Sequence, residues 1–199
     1  MNYGMEKTET VIGGQFAAQT SAAEVSSNVA SASWRDTAKR NFILQMGFED
    51  PAPTLRSRQY SALVFQPKVV LIAVAAGILF QSSGVFLALC TVLWWSALFP
   101  ELNPISALYN RTIGRRQGAF RLGPAPAPRR AAETEAGTFA LTIALLIHFR
   151  FSLAAHVLET ILLAAALAVP IGSFCFGTFM YHLVRGRWRF ARQTLPWAN

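Results

Sequence analysis

VVLIAVAAGILF-QSSG-VFLALCTVLWWSALF, residues Val69–Phe99, sets two apolar runs on either side of a short polar turn. Neither run contains an acidic or basic residue. Apolar side chains fall on every side of both helices, the pattern of a segment surrounded by hydrocarbon rather than of one with a wet face. The turn is too short for anything but an antiparallel return, so the stretch predicts a helical hairpin in a bilayer, with Pro67 at the first helical position. A second pair follows. GTFALTIALLIHF (Gly137–Phe149) belongs to a helix starting near Arg129, after Pro128, and the break RFS leads into a long run from Leu153 to about Val184.

Crossing a bilayer takes about 20 apolar residues. The first and third runs are shorter and need snorkelling lysine and arginine or local thinning. The fourth is longer and should tilt or bend at Pro170. The expected fold is an all-α integral membrane protein with four transmembrane helices at about 67–81, 84–100, 129–149 and 153–184. These form two antiparallel hairpins joined by an amphipathic cytoplasmic loop. Half-crossing re-entrant hairpins are the competing arrangement.

Charge placement orients this design. The chain of 199 residues is 53% hydrophobic and 14% charged, with a net charge of +8, whereas soluble domains carry about 25% charged residues. Every basic residue except Arg150 lies outside the two short inter-helix turns. By the positive-inside rule both termini and the central loop face the cytoplasm of a bacterial inner membrane. Arginines flanking apolar segments fit anionic lipid headgroups, and a soluble nucleic-acid binder is excluded by hydropathy. The start, MNYGMEKTET, lacks the pattern of a signal peptide, so insertion is expected to be directed by the first membrane helix.

Three regions are expected. Residues 1–60 form a tail, largely disordered because its Ala, Ser, Thr and Gly cannot bury enough surface to offset ordering entropy. It includes a short amphipathic helix at 34–46, suited to the bilayer surface or to a partner. Residues 61–185 form the membrane domain, and 186–199 a basic C-terminal tail. Within the central loop, Asn103 and Pro104 open an interfacial helix at about 104–116. Ile105, Leu108, Tyr109 and Ile113 share one face, and Arg111, Arg115 and Arg116 lie toward headgroup phosphates.

The candidate sites are few. Ala164, Ala168 and Gly172 recur every fourth residue, Ser173 and Gly177 make a second step, and Ala73 with Gly77 offers a counterpart on the first helix. Small residues let helices approach closely in lipid, either within the bundle or against a partner or second copy through the fourth helix. His156 and Glu159 share a helix face, with His148 across the turn, which could serve a metal, a proton relay or an interfacial role. Too few ligands lie nearby to predict a metal, and no cofactor is expected. Cys90 and Cys175 lie at different expected depths, which favours packing roles over a disulfide.

Four short pieces together resemble a family of small bacterial membrane proteins catalogued as domain of unknown function 4395. They are FQPKVV, NPISALYNRTIG, PAPRRAAETEAG and FCFG followed by Tyr181, and the resemblance covers about Phe65–Val184. It implies an F-C-x-G-C motif, matched here by Phe174, Cys175 and Gly177, with Thr178 where the second cysteine would stand. If paired cysteines do redox or metal chemistry in that family, this chain lacks the pair. The expected role is an accessory or scaffold subunit of a larger membrane complex, since no credible active site emerges. The alternatives are a membrane thiol-redox protein using Cys90 and Cys175, or a small transporter or ion pathway around His148, His156 and Glu159.

Overall fold

The computed structural model describes residues 34–115 and 120–198. The disorder expected of residues 1–33 and the headgroup role of Arg116 fall outside them. The chain divides at Asp36, and Thr37–Asn199 is one compact unit. The described residues are helical throughout, with no strand among them. Helix α1 covers residues 34–45, α2 Pro53–Phe80, α3 Ser83–Leu98, α4 Pro104–Thr112 and α5 Ala127–His148, with a 3-10 turn at Pro100–Leu102. Then come α6 Ser152–Gly172, α7 Phe176–Val184 and α8 Trp188–Gln193.

Four membrane-spanning helices are not what the structure contains. Among the described residues two helices, α2 and α6, are long and apolar enough to cross a membrane. Only 28% of the most apolar stretch of each is buried, so most of that surface faces outward rather than into a protein core. Helix α3 has 16 residues, which at about 1.5 Å each is near 24 Å, short of a hydrocarbon core of about 30 Å. Helix α5 has the length, with 22 residues, but its first turns carry Arg129, Arg130, Glu133 and Glu135. Its apolar part is too short to span.

The helix expected at 67–81 begins instead at Pro53, and Pro67 lies inside it. The missing N–H costs the Leu63 carbonyl its intrahelical donor. The long run expected to bend at Pro170 breaks three residues later. Ser173 closes α6 in the left-handed region (φ 51°), and α7 restarts at Phe176. Helix α1 is also not spread on a surface: Phe42, Ile43 and Met46 are buried in the core of the unit.

The most extensive pairing is α3 with α5, and α2 packs on α6, α5 on α7, and α2 on α3. Two apolar clusters result. One gathers Val74, Phe86, Leu89, Cys90 and Ile143 from α2, α3 and α5. The other joins Phe42 and Ile43 of α1 to Leu63, Tyr109 and Val169, with Cys175 packed against it. Asn103 caps α4, its Oδ1 accepting from the Ile105 and Ser106 amides at 3.0 and 2.9 Å.

Candidate functional site

Helices α2 and α5 meet around a buried polar knot. Gln66, Asn103, Arg129 and Glu133 are each buried. Gln66 Nε2 donates to Glu133 Oε1 at 2.7 Å, and Gln66 Oε1 accepts from Arg129 Nη2 and, at 3.4 Å, from Asn103 Nδ2. Arg129 Nε lies 3.3 Å from Glu133 Oε1, one helical turn apart on α5. This spacing places both groups on the face turned toward α2.

The knot is incomplete. Arg129 Nη1 and Glu133 Oε2 are buried and have no hydrogen-bond partner. Such orphans are uncommon, because each carries a desolvation cost of about 1–3 kcal/mol or more for charged groups. Both residues line a cavity of about 150 Å³. Its polar end holds Gln66, Arg129, Glu133, Glu135 and Cys175, and its apolar wall is built by Phe139, Leu162, Ala165 and Ala166. Burial pushes the Glu133 carboxyl above its ordinary value, while Arg129 and the Gln66 bond pull it back. Burial also raises the Glu135 carboxyl and the Cys175 thiol.

Cys175 is held where the chain breaks between α6 and α7. Its amide donates to Gln45 Oε1 at 3.1 Å, and His182 Nε2 donates to the Gln45 carbonyl at 3.0 Å. Tyr60 and Ser173 hydroxyls meet at 2.8 Å on the α2 side. Thr178 is fully buried and donates to the Cys175 carbonyl at 3.0 Å, so it serves as a helix-start bond. Cys90 and Cys175 are both free thiols, one inside the first apolar cluster and one beside the second. The structure does not bring them together as a dithiol.

The other predicted residues separate into groups. Gly77 receives the Phe86 ring so closely that a Cβ would stand 2.8 Å from it, and Ala73 packs beside the same cluster. A Cβ at Gly177 would lie 2.9 Å from the Ala132 Cα. These contacts lie inside the bundle. Ala164 and Gly172 are exposed and Ala168 is half-buried, and nothing stands within 4 Å of a Cβ at Gly172. Arg111 and Arg115 are exposed.

His156 Nδ1 meets Glu159 Oε2 at 2.9 Å, and Gln81 Nε2 donates to both Glu159 oxygens at 3.3 and 3.2 Å. Glu159 is 2% exposed, so this trio ties the end of α2 to α6. His148 stays apart, exposed and stacked edge-on against Phe149. Among the described residues no three His, Cys, Asp or Glu side chains gather as a metal site.

Residues 61–186 match the family described as Domain of unknown function (DUF4395). The chain belongs to this family. The DUF4395 region takes in α2 from Ser61 onward, all of α3 to α7, the polar knot and the cavity lining except Met46, and leaves out Gln45. No curated protein matches the chain, and no solved structure does. With its two helices of spanning length and composition, this DUF4395 member is a membrane-associated protein.

Gln66, Arg129 and Glu133 escaped the reading of the sequence. A signal was present: an Arg and a Glu four residues apart just where an apolar helix begins, a pairing that water would not require. Gln66, 67 residues before Glu133, could be joined to them only by the fold.

Proposed function

We propose that this protein is a membrane-associated binding protein, with the cavity between α2, α5, α6 and α7 as its binding centre. One observation carries the reading: two unpartnered charged atoms of a buried ion pair lie on residues lining an otherwise apolar cavity. An apolar hollow with a few convergent polar groups is the usual form of a small-molecule site. The cellular setting that fits is the accessory subunit expected from the sequence, with Ala164, Ala168 and Gly172 available to a neighbouring helix. The basic N-terminal end of α2 and the arginines after α7 favour a cytoplasmic location for that side.

The thiol-redox alternative finds less support, because Cys175 has a buried threonine where a second thiol would be needed. The ion-pathway alternative rests on His156 and Glu159, which act together as a helix tie. The test is to purify the full chain from its native membranes in mild detergent and identify extracted small molecules by mass spectrometry, beside Ala165→Phe, which fills the cavity. A lipophilic compound present near one per protein and lost in the variant is the expected result. Identical extracts from both proteins would refute the reading.

A further inference from the structure

The segment after α7, which the sequence presents as a basic tail, is folded onto α1. Asn41 is buried, and its Nδ2 donates to the Leu195 and Ala198 carbonyls at 2.9 and 3.0 Å. Ala191 and Thr194 are buried as well, and the Phe190 ring meets the His182 ring edge-on at 4.7 Å. A segment fastened in this way presents a fixed outer surface.

That surface carries one sign of charge. Arg185, Arg187, Arg189 and Arg192 are all exposed, and no acidic residue occurs between residues 185 and 199. These four charges amount to half of the chain's net charge of +8. Among the described residues no carboxylate pairs with Arg187, Arg189 or Arg192. Trp188 and Trp197 stand among them, 58% and 75% exposed. Indole rings favour the water–lipid boundary, where the apolar ring and the N–H are both satisfied.

The surface also lies at the right level. Gln45, one turn beyond Asn41 on α1, accepts from the Cys175 amide, three residues past the end of the apolar α6. A helical turn rises about 5.4 Å, and the headgroup layer on each side of a bilayer is about 5–8 Å deep. The fastened segment therefore starts within reach of the headgroups at the end of α6. Arginine clusters directly beyond a membrane span attract anionic lipid, and the guanidinium fork matches a phosphate.

We propose that α8 and its flanks form a preformed docking surface for anionic phospholipid. Arg187, Arg189 and Arg192 meet the headgroup phosphates, Trp188 and Trp197 enter the interface, and Asn41 is the positioning residue that holds the surface in shape. None of these residues lines the cavity, so the proposal stands apart from the binding-centre reading.

The test places the full chain, labelled with 5-fluorotryptophan, in nanodiscs in which phosphatidylglycerol progressively replaces phosphatidylcholine. The five tryptophan resonances are assigned by Trp→Phe variants. The Trp188 and Trp197 signals should shift saturably, while those of Trp94 and Trp95, exposed on α3, hold still. About 1 M salt, which confines charge effects to about 3 Å, should abolish the shift. Each arginine contributes about fivefold in attraction, so Arg187→Gln, Arg189→Gln and Arg192→Gln together weaken it roughly a hundredfold and no plateau is reached. Asn41→Leu keeps every charge but frees the segment, and should raise the half-saturating fraction about threefold or more.

A triple variant that responds like the parent, or equal shifts at all four tryptophans, would overturn the docking surface. An Asn41→Leu response equal to the parent's, with the Trp94 and Trp95 signals unchanged, would overturn its preformed character. Shifts produced by polyuridylate in phosphatidylcholine discs, with none from phosphatidylglycerol, would overturn the lipid assignment in favour of nucleic acid.

Discussion

Replacing Arg129 with methionine leaves the Glu133 carboxylate inside the bundle without its cation, 4% exposed and held by Gln66 alone. Breaking a buried pair in this way costs about 3–5 kcal/mol. At roughly 2–4 °C per kcal/mol for a unit of this size, the melting temperature should fall by about 6–20 °C. The informative companion is Gln66→Leu, Arg129→Met and Glu133→Leu together. That triple replacement removes the charges and the amide between them and fills the same space with apolar atoms, leaving Asn103 Nδ2 to give up only its long 3.4 Å bond to Gln66. Such exchanges are neutral or stabilising by about 1–4 kcal/mol. The triple variant should therefore melt near or above the parent, far above Arg129→Met. Circular dichroism melts in mild detergent, with SDS titration as a second denaturant, would measure this. An Arg129→Met protein within about 1 kcal/mol of the parent, or a triple variant as unstable as the single, would refute the picture of a dry knot in which Arg129 offsets the buried Glu133 charge.

Gly177→Ala should cost about 1–3 kcal/mol, because the new Cβ meets the Ala132 backbone, whereas Gly172→Ala should be neutral or slightly stabilising; paired thermal melts decide between them. Gln45→Leu deprives the Cys175 amide of its acceptor and should destabilise by about 1–3 kcal/mol, with hydrogen exchange rising first at residues 174–178. Asp50 lies 2.6 Å from Arg40 and 3.3 Å from Arg56, and the Arg40 bond holds its carboxyl below the ordinary 3.8. A lowered folded value means the stabilisation is fully present above the unfolded value and is lost as pH falls through the folded one. The group is about a third exposed, so the gain is below about 1 kcal/mol. Asp50→Asn should remove it, and melts from pH 6 down to pH 3 should then converge with the parent only at the acid end.

What the sequence made legible was local. Asn103 and Pro104 announce the start of α4, and the long apolar runs show where lipid-facing helices lie. Hydropathy alone did not distinguish an apolar helix that spans from one that packs: α3 is as greasy as any but too short, and α5 turns charged exactly where it meets α2. Pro67 misled, because a proline that looks like a helix start is tolerated inside α2. Of the candidate site, Cys175 was noticed but read as filler, and the groups that give its surroundings chemical character come from helices distant in sequence. Likewise, the small-residue pattern could not reveal that Gly77 and Gly177 look inward while Gly172 looks outward, since that depends on how each helix is rotated.

The tether from Gln45 has a consequence for where this protein ends as a folding unit. The segment shared with the family starts at residue 61, yet the carbonyl and side chain that fasten the α6–α7 joint come from residue 45. A chain cut to the shared segment would release His182 and the Cys175 amide together and would lose Phe42 and Ile43, uncovering the apolar surface of Leu63, Tyr109 and Val169 that they pack against. The edge of the family match and the edge of the packed unit therefore differ in this molecule.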